Sequence, residues 1–564
     1  QLLSAEPQLF SSYNIIKGFL NISVSDQYLM EFLKSNFNNQ SFGKSPETGT
    51  QILVEYSSPN TNKPLHLGHL RNNFLGWSVA EILSANGNKV AKTSIVNDRG
   101  VHICKSMLAW KKFSDGATPE STGIKGDHLV GDYYVMFEKE LKAQTSVLLE
   151  KVISGDLSGF AEEESTKMRL LLEKKNDKSL SPEKKAEVND AINELVRNNT
   201  PIMQEVREML VNWENGDPQT LELWSKMNGW VYEGFDETYR KIGSDFDKVY
   251  YESNTYLLGK NYVEEGLSKG IFFRKPDGSV WIDLTGEGLD EKLVLRKDGT
   301  SVYITQDLGL AKLKYEDFRM QQSIYVIGDE QNYHMKVLKL ICQKLGLPNA
   351  DGIYHLSYGM VELPSGRMKS REGTVVDADD LVEEMTSIAE KHTAESGKVK
   401  DFVPEELAEL YHTIGMGALK FYLLKVEPKK KMVFNPEESI DFHGFTGPFI
   451  QYTHARIKSI LRKEEIQGTD YSQAGLEKLE KDLIITLEQY PQMVQQAAAE
   501  LNPSVIANFI YHLSKLFNSF YAEHSISRAE TAEKKELRLQ LANMTAIVIK
   551  SGMGLLGIRV PERM

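Results

Sequence analysis

The chain reads as an α/β protein: a mostly parallel sheet domain broken by an insertion and followed by an all-α helical bundle. Three observations predict this. Residues from about 50 to 110 repeat a strand–helix–strand pattern, the unit from which parallel sheets are wound. Residues 111 to about 280 lose that rhythm. Beyond about 435, apolar residues recur at three- and four-residue spacing to the end. At 564 residues the chain exceeds what one core supports, which favours two to four domains.

Residues 1 to about 45 carry an apolar pattern, Ile15, Ile16, Phe19, Leu20 and Ile22, of the kind that closes a small domain. The first residue is Gln1 rather than Met, so an N-terminal piece is expected to be missing. A strand is expected over 52–56. A helix follows from about 68 to 85, with Leu70, Phe74, Trp77, Ala80 and Leu83 on one face, and Asn86-Gly87 stops it. A second strand is expected over 89–96. The part from about 136 to 215 is rich in Glu, Lys and Leu and predicts long, mostly surface helices inside the insertion. Strand-like runs return at Leu293-Val294-Leu295, Val302-Tyr303-Ile304 and Ile324-Tyr325-Val326-Ile327. Helical spacing over 448–463 and 504–521 marks the bundle. The expected division is a leading segment 1–45, a sheet domain 46–435 with its insertion at about 111–280, and a helical domain 436–564.

Composition excludes several classes. There is no run of about 18 apolar residues, so no membrane span is expected. Cys104 and Cys342 are the only cysteines and lack metal-ligand spacing. That argues against a disulfide framework and against zinc, and suits a cytoplasmic protein. The net charge of −13 argues against a nucleic-acid partner. Positive charge nevertheless concentrates at 425–431 (KVEPKKK) and at Arg456, Lys458, Arg462 and Lys463. Such patches are either solvated surface or nucleic-acid contacts.

The most informative stretch is Ser57-Ser58-Pro59-Asn60-Thr61-Asn62-Lys63-Pro64-Leu65-His66-Leu67-Gly68-His69. It places two histidines three apart, with Gly68 between them, where a strand ends and a helix begins. In an open α/β sheet, phosphate-bearing ligands dock there. The histidines supply donors and Lys63 supplies an ammonium. A metal reading lacks an adjacent Glu and a third ligand, and two histidines without a role are the other alternative. A second segment, Gly366-Arg367-Met368-Lys369-Ser370-Arg371-Glu372-Gly373, is a cationic, glycine-bounded loop. It suits closure over a triphosphate, or is plain solvated charge.

Together the two segments resemble the HIGH and KMSKS signatures of class I aminoacyl-tRNA synthetases. Within that class the chain resembles the arginyl-tRNA synthetase family. The resemblance rests on Glu55-Tyr56-Ser57-Ser58-Pro59-Asn60 leading into Lys63-Pro64, and on residues 298–307 (DGTSVYITQD). It also rests on Tyr325-Val326-Ile327-Gly328 leading to Gln331 and His334, on residues 447–456 (GPFIQYTHAR), and on the closing segment from Leu555 to Met564. The motifs keep the family's order and span essentially the whole chain. Arg367 and Ser370 stand where the lysine-rich signature carries lysines. In this family Lys63 is thought to compensate, which leaves Lys369 either a loop-closing cation or a solvated one.

The resemblance implies a Rossmann-type class I catalytic domain with an inserted domain, then a DALR-type anticodon-binding domain. It makes the leading segment the remnant of an N-terminal tRNA-binding domain. It implies two steps, arginyl-adenylate formation from arginine and ATP with Mg2+, then transfer to tRNA(Arg), with activation needing bound tRNA. Lys63, His66, Gly68, His69, Met368, Lys369, Ser370 and Arg371 would hold ATP and the leaving diphosphate. A guanidinium calls for carboxylates. Asp307 is the first candidate, with Glu55 and Gln331 next, Tyr303 nearby and Asn60 on the α-groups. Tyr452, His454, Arg456 and Met564 would meet the anticodon. The expected protein is a monomeric enzyme with no resident metal and no membrane partner. A different class I synthetase and a non-catalytic RNA-binding relative are the competing readings. Intact Lys63, His66, Gly68 and His69 argue against the latter.

Overall fold

The structure is a computed structural model that describes residue 6 and residues 9–177, 179–364, 376–396 and 401–564. The chain opens with an antiparallel hairpin, β1 (Phe10–Ile16) and β2 (Phe19–Val24), turned through Lys17 and Gly18, both at positive φ. Ile15 and Phe19 are exposed on it. Ser25 caps α1 (Asp26–Asn36), whose Leu29 and Leu33 enter the main core.

The central sheet begins with β3 (Gln51–Glu55). Its apolar run does not alternate because both faces are covered: Ile52, Leu53 and Val54 are all buried. The crossover helix α2 (Leu67–Ala85) returns the chain to β4 (Lys89–Val96), parallel to β3. Gly76 lets α2 lie against the sheet, since a Cβ there would stand 2.4 Å from the Tyr56 side chain.

Among the described residues, six helices of more than ten residues follow, with a one-turn helix at Pro119–Thr122 between the first two: α3 (Val101–Phe113), α4 (Gly126–Ile153), α5 (Glu162–Asn176), α6 (Pro182–Asn198), α7 (Pro201–Glu214) and α8 (Pro218–Ile242). They are less superficial than their composition suggests. Phe137, Val206, Trp230 and Phe235 from α4, α7 and α8 join the main core, while α5 and α6 build a small cluster around Met168, Ile192 and Val196. The stretch expected as one insertion is then interrupted. β5 (Lys248–Tyr251) pairs with β4 as the sheet's edge strand. A second excursion holds α9 (Glu252–Thr255), α10 (Lys260–Ser268) and a small antiparallel sheet. That sheet comprises β6 (Phe273–Arg274), β7 (Val280–Ile282) and β8 (Lys292–Leu295), so the 293–295 run lies outside the parallel sheet.

Val302-Tyr303-Ile304 is not a strand. Val302 is the extended N-cap, and α11 (Tyr303–Phe318) starts at the next residue, burying Ile304, Leu308 and Ala311. Tertiary burial at helical spacing overrides the local β preference. β9 (Gln322–Gly328), α12 (Asn332–Leu345) and β10 (Ile353–Tyr358) complete the sheet, whose order is β10-β9-β3-β4-β5, all parallel. The order reverses between β3 and β9, so a ligand crevice is expected at the carboxyl ends of those strands.

Helices α13 (Ala378–Ser396) and α14 (Pro404–Leu424) connect to the bundle. The bundle comprises α15 (Gly447–Leu461), α16 (Lys478–Glu488), α17 (Tyr490–Glu500), α18 (Ser504–Glu523) and α19 (Ala532–Leu555). It packs directly on α2: Ser78 Oγ donates to Leu555 O at 2.7 Å, and Asn86 Nδ2 donates to Val494 O at 3.1 Å. Among the described residues no helix is long and apolar enough to cross a membrane.

Candidate active site

The turn from β3 to α2 is built around Ser57, a non-glycine residue at φ 54°. That conformation is strained and needs outside support. Ser57 N donates to Asn72 Oδ1 at 2.6 Å, its Oγ bonds Tyr239 OH at 2.7 Å and accepts from Asn73 Nδ2 at 3.0 Å, and its carbonyl accepts from Ser94 Oγ. Asn72 also donates to Val326 O at 2.7 Å. The turn is therefore tied to α2, α8, β4 and β9 at once.

His66 is the N-cap of α2. Its Nδ1 accepts from Gly68 N at 3.1 Å, and His69 Nδ1 accepts from His66 N at 3.1 Å. Both Nδ1 atoms are thus occupied by backbone N–H groups, so each neutral ring carries its proton on Nε2. Burial, with Lys63 adding to it, pushes the His66 pKa down to about 3. Burial first, then His66 and Lys63, holds His69 well below the usual range. The pair is a set of neutral donors at a helix N-terminus, not a pair of cations. Gly68 serves this geometry, because a Cβ there would meet the His66 ring at 3.0 Å.

Residues 376–380 bind back onto the same segment. Leu67 N donates to Val376 O at 3.1 Å and Ala378 N donates to Leu65 O at 3.0 Å. Lys125 Nζ donates to Asp379 Oδ2 at 2.6 Å, and His128 Nε2 lies 3.3 Å from Asp377. Hydrogen bonds to Asp377 and Asp379 raise the His128 pKa to about 10. Asp127, His128 and Asp379 bring ligand-type atoms within 4.8 Å of one another. Lys125, 3.1 Å from Asp127 and 2.6 Å from Asp379, already supplies the cation, so the cluster is an ion-pair anchor. Met368, Lys369, Ser370 and Arg371 lie outside the described residues.

A cavity of about 700 Å³ opens at the carboxyl ends of β3, β4 and β9. Glu55, Asn60, Tyr303, Asp307 and Gln331 all line it, although they come from four separate elements. Asn60, Gln331 and Tyr303 (74 % exposed) form the rim. Glu55 lies deeper, and its carboxylate is already ion-paired with buried Lys314. It is therefore a weaker answer to a guanidinium than its position in the sequence suggests. Asp307 Oδ2 lies 2.6 Å from His334 Nε2, and this bond raises the His334 pKa above its ordinary value. Sequence reasoning missed Glu252, which lines the same cavity from the first position of α9, directly after β5. Burial, with further contributions from Asp98 and Asp307 and opposed by Arg99, raises its pKa to about 7.

In the helical domain, Tyr452, Arg456 and Met564 line a cavity of about 580 Å³ with Phe442, Phe449 and Asn518. The Arg456 guanidinium sits 4.9 Å from the Tyr452 ring and 5.6 Å from that of Tyr521. The C-terminal tail reaches this cavity because α15 straps it down. Gln451 Nε2 donates to Arg559 O at 2.8 Å and Arg462 donates to Glu562 O at 2.9 Å. His454 belongs to that strap. It is 2 % exposed, its Nδ1 lies 3.0 Å from Pro561 O, and burial lowers its pKa to about 4. The expectation that it meets a base is corrected: it faces the core. The basic clusters are also partly structural, since Lys458 pairs with Glu562 at 3.5 Å and Lys425 donates to Phe445 O at 3.0 Å.

A histidine-capped helix leaving a parallel sheet where its order reverses, beside a carboxylate-lined cavity and followed by a helical bundle, defines a class I aminoacyl-tRNA synthetase. Comparison with known proteins agrees. Residues 33–154 and 168–435 match the family described as tRNA synthetases class I (R), catalytic domain, and residues 450–564 match the DALR anticodon binding domain. The chain is 52% identical to the arginine–tRNA ligase of Bacteroides thetaiotaomicron, over all of this chain and 89% of that protein. It is 53% identical to that of Flavobacterium psychrophilum, over 98% of this chain and 86% of that protein. The arginyl-tRNA synthetase structure from Thermus thermophilus shares the fold, with a TM-score of 0.76 at 22% identity over 99% of this chain and 89% of that one. The chain belongs to the arginine–tRNA ligase family.

Proposed function

We propose that this protein activates L-arginine with ATP and passes the arginyl group to the 3′ end of tRNA(Arg), releasing diphosphate and then AMP. The observation that carries the reading is the single cavity that gathers Asn60, Glu252, Tyr303, Asp307 and Gln331 beside the histidine-capped turn. In it Glu252 and Asp307 answer the guanidinium, Asn60 takes the α-groups, and Tyr303 and Gln331 close the rim. Carboxylates covered by the bound substrate and left unpaired by citrulline, or misplaced for lysine, would enforce the choice. The arginine carboxylate attacks the α-phosphorus as the bond to diphosphate breaks. No enzyme nucleophile is needed, so positioning and charge stabilisation on the phosphates are the catalytic task. His66 and His69 donate from Nε2 and Lys63 adds positive charge. Met368, Lys369, Ser370 and Arg371 keep the phosphate role that the family resemblance assigns them. Mg2+ arrives with ATP, held largely by phosphate oxygens, and no zinc is invoked. Tyr452, Arg456 and Met564 suit a stacked, unpaired anticodon base. We place the reaction in the cytoplasm and read the protein as a monomer.

The test is ATP–diphosphate exchange with each amino acid, with and without tRNA. Exchange is expected with arginine alone, and only when tRNA is present. Exchange driven by another amino acid would overturn the substrate, and arginine exchange without tRNA would overturn the tRNA requirement.

Arginine affinity should depend on pH. With the Glu252 pKa at about 7 in the free protein, an entering guanidinium favours the ionised form and lowers that pKa. Below pH 7 binding must displace a proton, so affinity falls by up to about tenfold per pH unit; above it the profile is flat. Protonated His334, which competes for Asp307, acts in the same direction. Arginine KM measured from pH 6 to 8.5 should therefore drop as pH rises, and Glu252→Gln should leave only the His334 component. An unchanged slope in that variant would remove Glu252 from the site.

A further inference from the structure

Asp98 does not line the arginine cavity, though both its chain neighbours, Asn97 and Arg99, do. Its side chain is buried, at 1% exposure, and three elements converge on it. Oδ1 accepts from Ser253 N at 2.8 Å, and Oδ2 accepts from Ser253 Oγ at 2.6 Å and from Tyr232 OH at 2.8 Å. Its carbonyl accepts from Trp224 Nε1 at 2.7 Å and from Asn228 Nδ2 at 3.3 Å. Trp224, Asn228 and Tyr232 are spaced four apart and so form one face of α8. Ser253 is the residue after Glu252. A buried carboxylate holding three charge-assisted bonds is a rigid fixture. Here it joins the end of β4, the inserted helix α8 and the turn that carries Glu252.

We propose that Asp98 is a positioning residue for arginine recognition: by gripping Ser253 and the 224–228–232 face of α8, it fixes where the Glu252 carboxylate meets the guanidinium. The proposal rests on reading the cavity as the arginine site. It also makes the seat of α8 a condition for an ordered arginine pocket, because the same carboxylate serves both. The charged groups that face Glu252 are Asp98, Arg99 and Asp307. Arg99 is itself held by Glu214 of α7 at 2.7 Å and stacked 3.8 Å from the Tyr256 ring. Asp98 is the one of these that also holds the Glu252 backbone turn.

The test uses the full chain with tRNA in the exchange reaction. Asp98→Asn keeps the volume but removes the charge, and Tyr232→Phe removes one donor and leaves the carboxylate. Asp98→Asn is expected to raise arginine KM by about tenfold, the scale of a lost hydrogen bond to a charged group. ATP KM should stay within about twofold, since the phosphate-binding turn keeps its own supports. The pH midpoint of arginine KM should fall, because the negative charge beside Glu252 is gone. Tyr232→Phe should move arginine KM the same way by about threefold. Equal rises in arginine and ATP KM would show a merely structural role and overturn the proposal. So would an unmoved pH midpoint in Asp98→Asn. If Asp98→Asn does not fold, an unchanged arginine KM in Tyr232→Phe overturns it. Asp307→Ala separates the two levels. If that variant leaves arginine KM unchanged, the reading of the cavity fails. If it raises arginine KM while the other two do not, only the role of Asp98 fails.

Discussion

Asp307→Ala is expected to raise KM for arginine by about 100-fold and to leave KM for ATP within about threefold. Truncating one partner of a buried, hydrogen-bonded charge pair costs about 2–5 kcal/mol. The Asp307 side chain is 35% exposed, which puts this case at the lower end, about 2–3 kcal/mol, and each 1.4 kcal/mol is a factor of about ten. The loss falls on arginine because Asp307, on the first turns of α11, lines the cavity, whereas Lys63, His66 and His69 do not. Removing the carboxylate also frees His334 from its 2.6 Å bond, so His334 loses the partner that raises its pKa. Steady-state exchange over a grid of arginine and ATP concentrations measures both constants. Equal losses for the two substrates would make Asp307 a structural residue of α11.

The parts of the fold that the sequence revealed are those whose burial leaves a local trace. β3 was legible because a strand covered on both faces is a plain apolar run, and α2 because its buried face repeats at helical spacing. β5 was not legible. It has four residues, Lys-Val-Tyr-Tyr, and only pairing with β4 makes it a strand. The site divides in the same way. Glu55, Asn60, Tyr303, Asp307 and Gln331 stood in recognisable motifs, and all five reach one cavity. Glu252 stood in none, and it arrives there only because β5 joins the sheet. Tyr452 and Arg456 are four apart on α15 and share a face, whereas His454, two residues from each, points to the opposite side. That spacing was enough to send His454 to the core. At Gly68 the structure adds a reason the sequence did not show: a Cβ there would meet the His66 ring at 3.0 Å.

Lys63→Ala is expected to lower kcat for arginine activation by about 100- to 1000-fold with little change in KM for arginine, the effect of removing one preorganised charge donor. The argument comes from the charge state of its neighbours. Burial keeps His66 and His69 neutral, so they offer Nε2 hydrogen bonds without net charge. On the proposed reading, of the residues singled out in that segment only Lys63 would bring a formal positive charge to the phosphates. Removing it takes away one cause of the low His66 pKa, but burial is the larger cause, so His66 stays neutral and does not substitute for the lost ammonium. Arg367 and Ser370, standing where the loop signature carries lysines, add to the demand on Lys63. Lys63 is only half-buried, so the variant should fold and its melting temperature should stay close to that of the parent. Lys63→Arg should recover part of kcat, since a guanidinium keeps the charge but not its compact geometry. Single-turnover adenylate formation reads the step directly. A Lys63→Ala protein that formed adenylate at the parent rate would move the phosphate charge to residues 367–371 and leave Lys63 a surface cation beside the histidine cap.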